Sequence, residues 1–219
     1  DIVPVAKDVY DFVFKHSRAF RFAPGQYLEW TLGYDNPDSR GNRRYFTIAS
    51  APTEENIHIG VKFYKEPSSF KEALGALNKG ESIIASQLSG DFVLPKDPKK
   101  KLIFIAGGIG VAPFRSMIKY LIDKNESRDI ILFYGNKSQE DIAYKDIFDE
   151  GEKVGLRTIY TIVDRALGWT GNIGYVTDEM IRKEVPNFLE YTFFISGPHA
   201  MVESYHAMLR DMGIAQKNI

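Results

Sequence analysis

The sequence predicts two domains in series: an antiparallel β-barrel over residues 1–97, then an α/β domain with a doubly wound parallel sheet over residues 98–219. Three observations predict this. Roughly the first ninety residues hold short runs of strand character, separated by Gly, Pro and Asn, as in barrels and sandwiches. After the stretch Pro95-Lys-Asp-Pro-Lys-Lys-Lys101 the period changes, and continuous apolar runs alternate with helical stripes. The first of those runs stops at Gly107-Gly108-Ile109-Gly110, and Pro113 then opens a helical pattern.

In chain order, Tyr10, Phe12 and Phe14 alternate with Asp11, Val13 and Lys15, which predicts a strand. Further strands are predicted over 27–32, after Pro24-Gly25, and over 44–49, after the turn-rich loop 36–42. Runs 57–64 and 82–86 complete the barrel. One helix interrupts them: Ser69-Phe-Lys-Glu72 has the spacing of a capping box, and Phe70, Leu74 and Leu77 form one apolar stripe. In the second domain, strands are predicted over 102–106, 130–134, 156–163 and 191–195. Helical stripes lie between them, and the last helix carries Met201, Val202, Tyr205, Met208, Leu209 and Met212 before Gly213 stops it. Loop 168–171 receives no role.

Composition narrows the function. A chain of 219 residues has room for about two domains of ordinary size. Apolar content of 44% and charged content of 26% are those of a globular protein. The net charge of −1 and the lack of a basic patch argue against a nucleic-acid partner. With no cysteine, the chain can carry no disulfide, thiolate nucleophile or cysteine-ligated iron–sulfur cluster. The histidines His16, His58, His199 and His206 show no ligand-like spacing, so no metal site is expected. The longest apolar run, 102–114, is too short to span a bilayer, and no signal peptide is present. The first residue is Asp, so an excised or processed chain is expected.

The chemistry falls on strand ends. Glycines let backbone approach a ligand, and a helix N-terminus offers unpaired N–H groups to a phosphate. Gly107-Gly-Ile-Gly110 therefore fits a nucleotide pyrophosphate, although an ordinary strand-to-helix turn fits the same residues. In a doubly wound sheet, ligands sit at the carboxyl ends of strands. Gly107, Gly135, Asp164 and Ser196 each follow a predicted strand and should line one edge together. The start of the Ser69 helix is a second phosphate-friendly N-terminus.

Three motifs now occur in order: Arg44-Tyr45-Phe46-Thr47 in the barrel, Gly107-Gly-Ile-Gly-Val-Ala-Pro113, and Ser196-Gly-Pro-His-Ala-Met201. Across nearly all its length the chain resembles the ferredoxin–NADP reductase family of flavoprotein reductases. The resemblance implies a flavin-binding barrel followed by a nicotinamide-nucleotide domain. It implies FAD rather than FMN, with NADH or NADPH as the donor. Arg44 would hold the flavin phosphate, with a permanent charge and a bidentate fork suited to it. Tyr45 belongs to the same motif, Phe46 would stack on the isoalloxazine, and Thr47 would hydrogen-bond near flavin N5. Val61 and Lys62 would lie on the strand that runs past the flavin, and Ser68, Ser69 and Phe70 would offer hydroxyl and N–H groups to its pyrophosphate.

Gly107, Gly108, Gly110, Val111, Ala112 and Pro113 would receive the nicotinamide nucleotide, with Gly135 and Asn136 near its adenosine half. Asp164 could bind ribose hydroxyls, or Arg165 a 2′-phosphate; the missing basic cluster favours NADH. Ser196, Gly197, Pro198 and Met201 would close the site, with Ser196 and Thr47 at the hydride-transfer point. Four departures stand out: Phe46 replaces the family Tyr, Ser196 replaces Cys, Glu66-Pro67 replaces a glycine, and the aromatic residue that covers the flavin at the family's C-terminus is missing. The implied activity is hydride transfer from NAD(P)H to flavin, then electron transfer to an acceptor on another domain or protein. A fusion to a membrane electron-transfer module is expected, and a cytoplasmic location, at the cytoplasmic face of that membrane. The alternative is a sensor or scaffold of the same fold that binds nucleotide without turnover.

Overall fold

The computed structural model describes residues 1–18 and 20–219. Strands β1 (Ile2–Ala6), β2 (Val9–Phe14), β3 (Tyr27–Thr31), β4 (Arg43–Thr47) and β5 (Ile57–Lys62) come first, then helix α1 (Ser69–Gly75) and β6 (Ile84–Ser89). They form two antiparallel three-stranded sheets, ordered β1-β2-β5 and β4-β3-β6. One core joins them: Phe12, Trp30, Ile48 and Ile59 are buried with Phe70 and Leu74 of α1. Strand β1 was not expected. It is an exposed edge, where Pro4 is tolerated because its missing N–H costs no central ladder bond. Strand β6 lies later than the predicted run 82–86, because an irregular register around left-handed Gln87 carries the pairing on to Ser89.

The second domain alternates β7 (Leu102–Gly107), α2 (Ala112–Lys124), β8 (Ile130–Asn136), α3 (Lys145–Glu150), β9 (Leu156–Ile162), β10 (Asn172–Ile173), α4 (Asp178–Glu184), β11 (Thr192–Ser196) and α5 (His199–Asp211). Its parallel sheet is ordered β10-β9-β8-β7-β11. Strand alternation fills both faces. Leu102, Phe104 and Ala106 enter the core beneath α2, and Ile103 and Ile105 enter the one that holds Tyr205 and Leu209 of α5. The two-residue β10 gives too short a pattern to read from sequence. Gly213, at φ 91°, follows the end of α5 as expected.

The segment after β6 is anchored in the second domain. Phe92 and Leu94 pack on its core, and the Phe92 ring lies 5.6 Å from Phe114 and 5.1 Å from Phe194. Gly25 lets this segment pass: a Cβ there would stand 2.1 Å from the Phe92 carbonyl oxygen and 2.6 Å from Met117 Cε.

Polar ties complete the junction. Arg115, buried on α2, forms a two-pronged ion pair with Glu54 and donates to the Ala49 carbonyl at 3.1 Å. Ser116 Oγ donates to the Ser50 carbonyl at 2.7 Å. Both reach the segment that directly follows Thr47. On the other side Lys62 pairs with Asp141, and Lys7 with Glu140. Burial pushes the Asp141 carboxyl up, but hydrogen bonds from Lys62 and Ser138 outweigh it and hold it below the usual value. A depressed carboxyl stabilises the fold fully at neutral pH and loses that contribution as the pH falls below about 4 and through the lower folded value. Asp141→Asn is therefore expected to flatten the acid limb of stability against pH, as measured by thermal unfolding between about pH 2 and 6.

Candidate active site at the domain junction

Strand β4 splits the barrel motif between two faces. Arg44 pairs across from Trp30, and Phe46 from Leu28, on the core side. Tyr45 and Thr47 lie on the other side with Tyr27, around an open depression of about 330 Å³. The Tyr45 ring meets Tyr27 edge-on at 5.7 Å, and its hydroxyl donates to Glu29 at 2.9 Å. The Phe46 ring packs 5.9 Å from Phe70. The aromatic ring beside Thr47 on the open face is thus Tyr45.

Arg44 and the α1 N-terminus come together as expected, with Asp38 between them. The guanidinium donates to both Asp38 oxygens at 2.8 and 2.9 Å, and lies 5.3 Å from the Phe70 ring centre. The Asp38 backbone N–H donates to Ser69 Oγ at 3.0 Å. A carboxylate thus sits where a phosphate would meet this fork. Burial pushes Asp38 up, yet the hydrogen bonds from Arg40 and Arg44 hold it below the usual value. Arg44 Nε is buried without a partner. The helix cap is Ser68, which accepts from the Lys71 N–H, and not the predicted Ser69. Phe70 is fully buried, so it can offer a ligand only its backbone. Val61 is buried in the barrel core, and the Lys62 ammonium is turned to Asp141.

The glycines of the second domain have separate reasons. A Cβ at Gly107 would stand 2.2 Å from Met201 Sδ, and one at Gly110 would stand 2.5 Å from Gly197 Cα and 2.6 Å from the Ser196 carbonyl oxygen. These two glycines therefore let the β7 loop close on the β11 turn, where a ligand contact was expected. Gly108 differs: its φ is 51° and the space where a Cβ would stand is open. Met201 packs on Gly107 and Gly197 and so joins the two loops. Val111, Ala112 and Pro113 are buried, so the cofactor contact expected of them falls to backbone alone. A 3-10 turn over Gly108–Val111 runs straight into α2 and the Ala112 N–H donates to the Ile109 carbonyl, so any N–H groups left for an anion lie at the start of that turn, around Gly108.

The predicted edge is formed. Gly107 pairs with Gly135, Ser196 with Ala106, and the Asp164 N–H donates to the Lys137 carbonyl at 2.7 Å. Asn136 is buried beside Tyr134, and among the described residues its carboxamide atoms make no hydrogen bond of ordinary geometry, which fits a polar ligand at this edge. Asp164 and Arg165 line an open cleft of about 1180 Å³ with Lys62, Lys65 and Lys137.

The family model for the oxidoreductase NAD-binding domain matches residues 104–207. Residues 104–207 thus match an oxidoreductase NAD-binding domain, and the chain as a whole is similar to ferredoxin–NADP reductase-like proteins. A flavohemoprotein of Bacillus cereus is 27% identical to this reductase-like chain over 212 residues, which are 90% of the chain and 52% of the relative. The chain thus spans about half the length of the flavohemoproteins it matches. The Amycolatopsis cytochrome P450 reductase GcoB superposes with a TM-score of 0.85 at 22% identity, over 100% of this chain and 66% of that one. The flavohem-like FAD/NAD binding domain of nitric oxide dioxygenase from Vibrio cholerae gives 0.82 at 17% identity, over 100% and 93%. Both show the two-domain fold.

Sequence reasoning missed the Arg115–Glu54 pair and the close approach of Tyr144 and Ile109 to Gly60 of β5. Each depends on two chain segments meeting across the junction. The motif register around Arg44 and Gly107 could locate one side of each contact, but nothing local identifies its partner.

Proposed function

We propose that the chain is a reductase module that binds FAD along the barrel and takes electrons from NAD(P)H bound at the carboxyl edge of the parallel sheet. The observation that carries this is the glycine-to-glycine closure of Gly110 on Gly197, which sets Gly108, at the start of the turn into α2, and the buried Asn136 amide on one edge. When bound, the cofactors would supply the redox chemistry, a hydride transfer from the nicotinamide to the flavin. The protein binds and orients. Arg44 and the Ser68–Phe70 turn take the flavin pyrophosphate, with Arg44 exchanging Asp38 for it. Thr47 hydrogen-bonds near N5. Val61 and Lys62 lend backbone to the flavin, Tyr45 presents its ring on the open face of β4 beside Thr47, and Phe46 stays against Phe70 on the core side. Ser196, Gly197 and Pro198 face the nicotinamide, Gly135 and Asn136 its adenosine half, and Asp164 and Arg165 the ribose.

The donor is NADH or NADPH: Asp164 suits ribose hydroxyls, and Arg165 and Lys137 on the same cleft suit a 2′-phosphate. The acceptor belongs to another domain or protein, in keeping with relatives about twice as long. No helix among the described residues is long and apolar enough to cross a membrane. A membrane electron-transfer partner and a place at the cytoplasmic face are part of the proposal.

The test is anaerobic titration of the FAD-loaded chain with NADH or NADPH. Bleaching of the visible flavin band is expected, and a band that persists with both donors overturns the proposal. Binding without turnover of ferricyanide would establish the sensor instead. Arg44→Leu is expected to weaken FAD binding by about 10–100-fold, the loss of a charged hydrogen-bond pair of about 1.5–3 kcal/mol, as read by flavin fluorescence.

A further inference from the structure

Gly60 stands within β5, and its backbone lies outside the left-handed region, so its missing side chain serves space and not conformation. A Cβ there would stand 2.3 Å from the Tyr144 hydroxyl oxygen and 2.8 Å from Ile109 Cδ1. Both neighbours come from the other domain. Ile109 carries the only side chain within the Gly107–Gly110 loop. Tyr144 precedes α3, is buried, and holds φ at 57°, a left-handed backbone that is uncommon for a bulky residue. Such a conformation persists where the surroundings over-determine it.

The surroundings are specific. The Tyr144 hydroxyl donates to Asp11 on β2, and Asp11 lies directly across from Gly60 in the strand register. The other Asp11 oxygen lies 3.4 Å from His58 Nδ1, two residues from Gly60 on the same strand. The Arg115 guanidinium stands 5.7 Å from the Tyr144 ring centre. Asp11 and Gly60 thus form the floor of a socket, and Tyr144 and Ile109 fill it. The strand under the socket continues into Val61 and Lys62, and the loop above it carries the site glycines.

We infer that Tyr144 and Ile109 are positioning residues: seated on Gly60, they fix the spacing between the flavin strand and the nicotinamide loop. This rests on the flavin reductase function proposed above. A change in that spacing alters the approach of nicotinamide C4 to flavin N5 and leaves each binding surface in place.

The test compares wild type with Gly60→Ala and Gly60→Ala/Tyr144→Phe, each loaded with FAD. The added methyl pushes the plug out by about 1 Å, judged against an ordinary contact of about 3.4 Å, and a displacement of that size can cost up to about 100-fold in rate. Three quantities are read: FAD affinity, the limiting rate of anaerobic bleaching by NADH, and the long-wavelength charge-transfer absorbance formed when NAD⁺ is added to the reduced protein. The last reports contact between the two rings. For Gly60→Ala, FAD affinity should stay within about twofold while the rate falls about 10–100-fold and the charge-transfer band weakens with it. Tyr144→Phe makes room for the methyl and should restore most of both. Wild-type rate and band in Gly60→Ala overturn the inference alone; a wild type that holds FAD and never bleaches overturns the proposed function instead. If Gly60→Ala fails to fold, Ile109→Ala empties the socket without overpacking, and full rate and band in that variant also overturn the inference.

Discussion

Gly110→Ala is expected to slow flavin reduction by about 100-fold and to lower stability by about 2 kcal/mol. The new Cβ would stand 2.5 Å from Gly197 Cα and 2.6 Å from both Gly197 N and the Ser196 carbonyl oxygen. All three are backbone atoms, so no side-chain rotation relieves the clash. The two loops must part by about 1 Å, judged against an ordinary contact of about 3.4 Å. That opens the sheet edge where the Ser196 turn and the glycine loop lie against each other. Stopped-flow bleaching and thermal unfolding read the two effects separately. Gly108→Asn is the control: asparagine tolerates a left-handed backbone, and the space there is open. It should keep wild-type stability. A fast Gly110→Ala variant would show that the loops need not touch.

Glu54→Ala should have the largest effect on stability. It leaves the Arg115 guanidinium buried without its carboxylate, and breaking a buried pair from one side costs about 3–5 kcal/mol. Burial works against the Arg115 charge, and the Glu54 carboxylate more than offsets it, so the guanidinium holds its proton more tightly than usual. Glu54 also accepts from the Ala51 N–H at 2.6 Å, which ties the segment after Thr47 to the same pair. For a chain of this size the melting temperature should drop by about 6–20 °C, at about 2–4 °C per kcal/mol. Removing both charges in Glu54→Ala/Arg115→Met should recover part of the loss, because a thioether can be buried without a partner. A melting temperature within about a degree of wild type in Glu54→Ala would mean that water reaches Arg115 freely.

Local pattern made much of the architecture legible. The strands β7, β8, β9 and β11 are continuous apolar runs because both faces of a parallel sheet are covered, and their ends put Gly107, Gly135 and Ser196 together at one edge of the sheet. Strand β1 was hidden because an edge strand with most of its side chains exposed has no alternation to show. The glycine loop stands at the strand end that its pattern predicts, but its glycines are there for different reasons. Three glycines in a row of four look alike in sequence, yet Gly110 meets the Gly197 backbone, Gly107 meets the Met201 side chain, and Gly108 meets open space. Arg44 shows the same limit. The fork is placed beside the α1 N-terminus as expected, but its occupant, Asp38, comes from a loop whose path no periodicity reveals.

Phe92 has a consequence for protein engineering. Its ring sits between Phe114 and Phe194 although its chain has only just left the barrel, and Gly25 of the barrel is kept bare so that this segment can pass. A chimaera joined just after β6 would strip the α/β half of an aromatic that belongs to its core and leave the barrel half trailing an oily stub. Grafts that carry donor sequence through Pro95 would keep Phe92 with the ring pair it fits, but would then have to match Gly25 on the recipient barrel. The two halves are therefore best exchanged as a matched set, with residue 25 and the 90–95 segment travelling together.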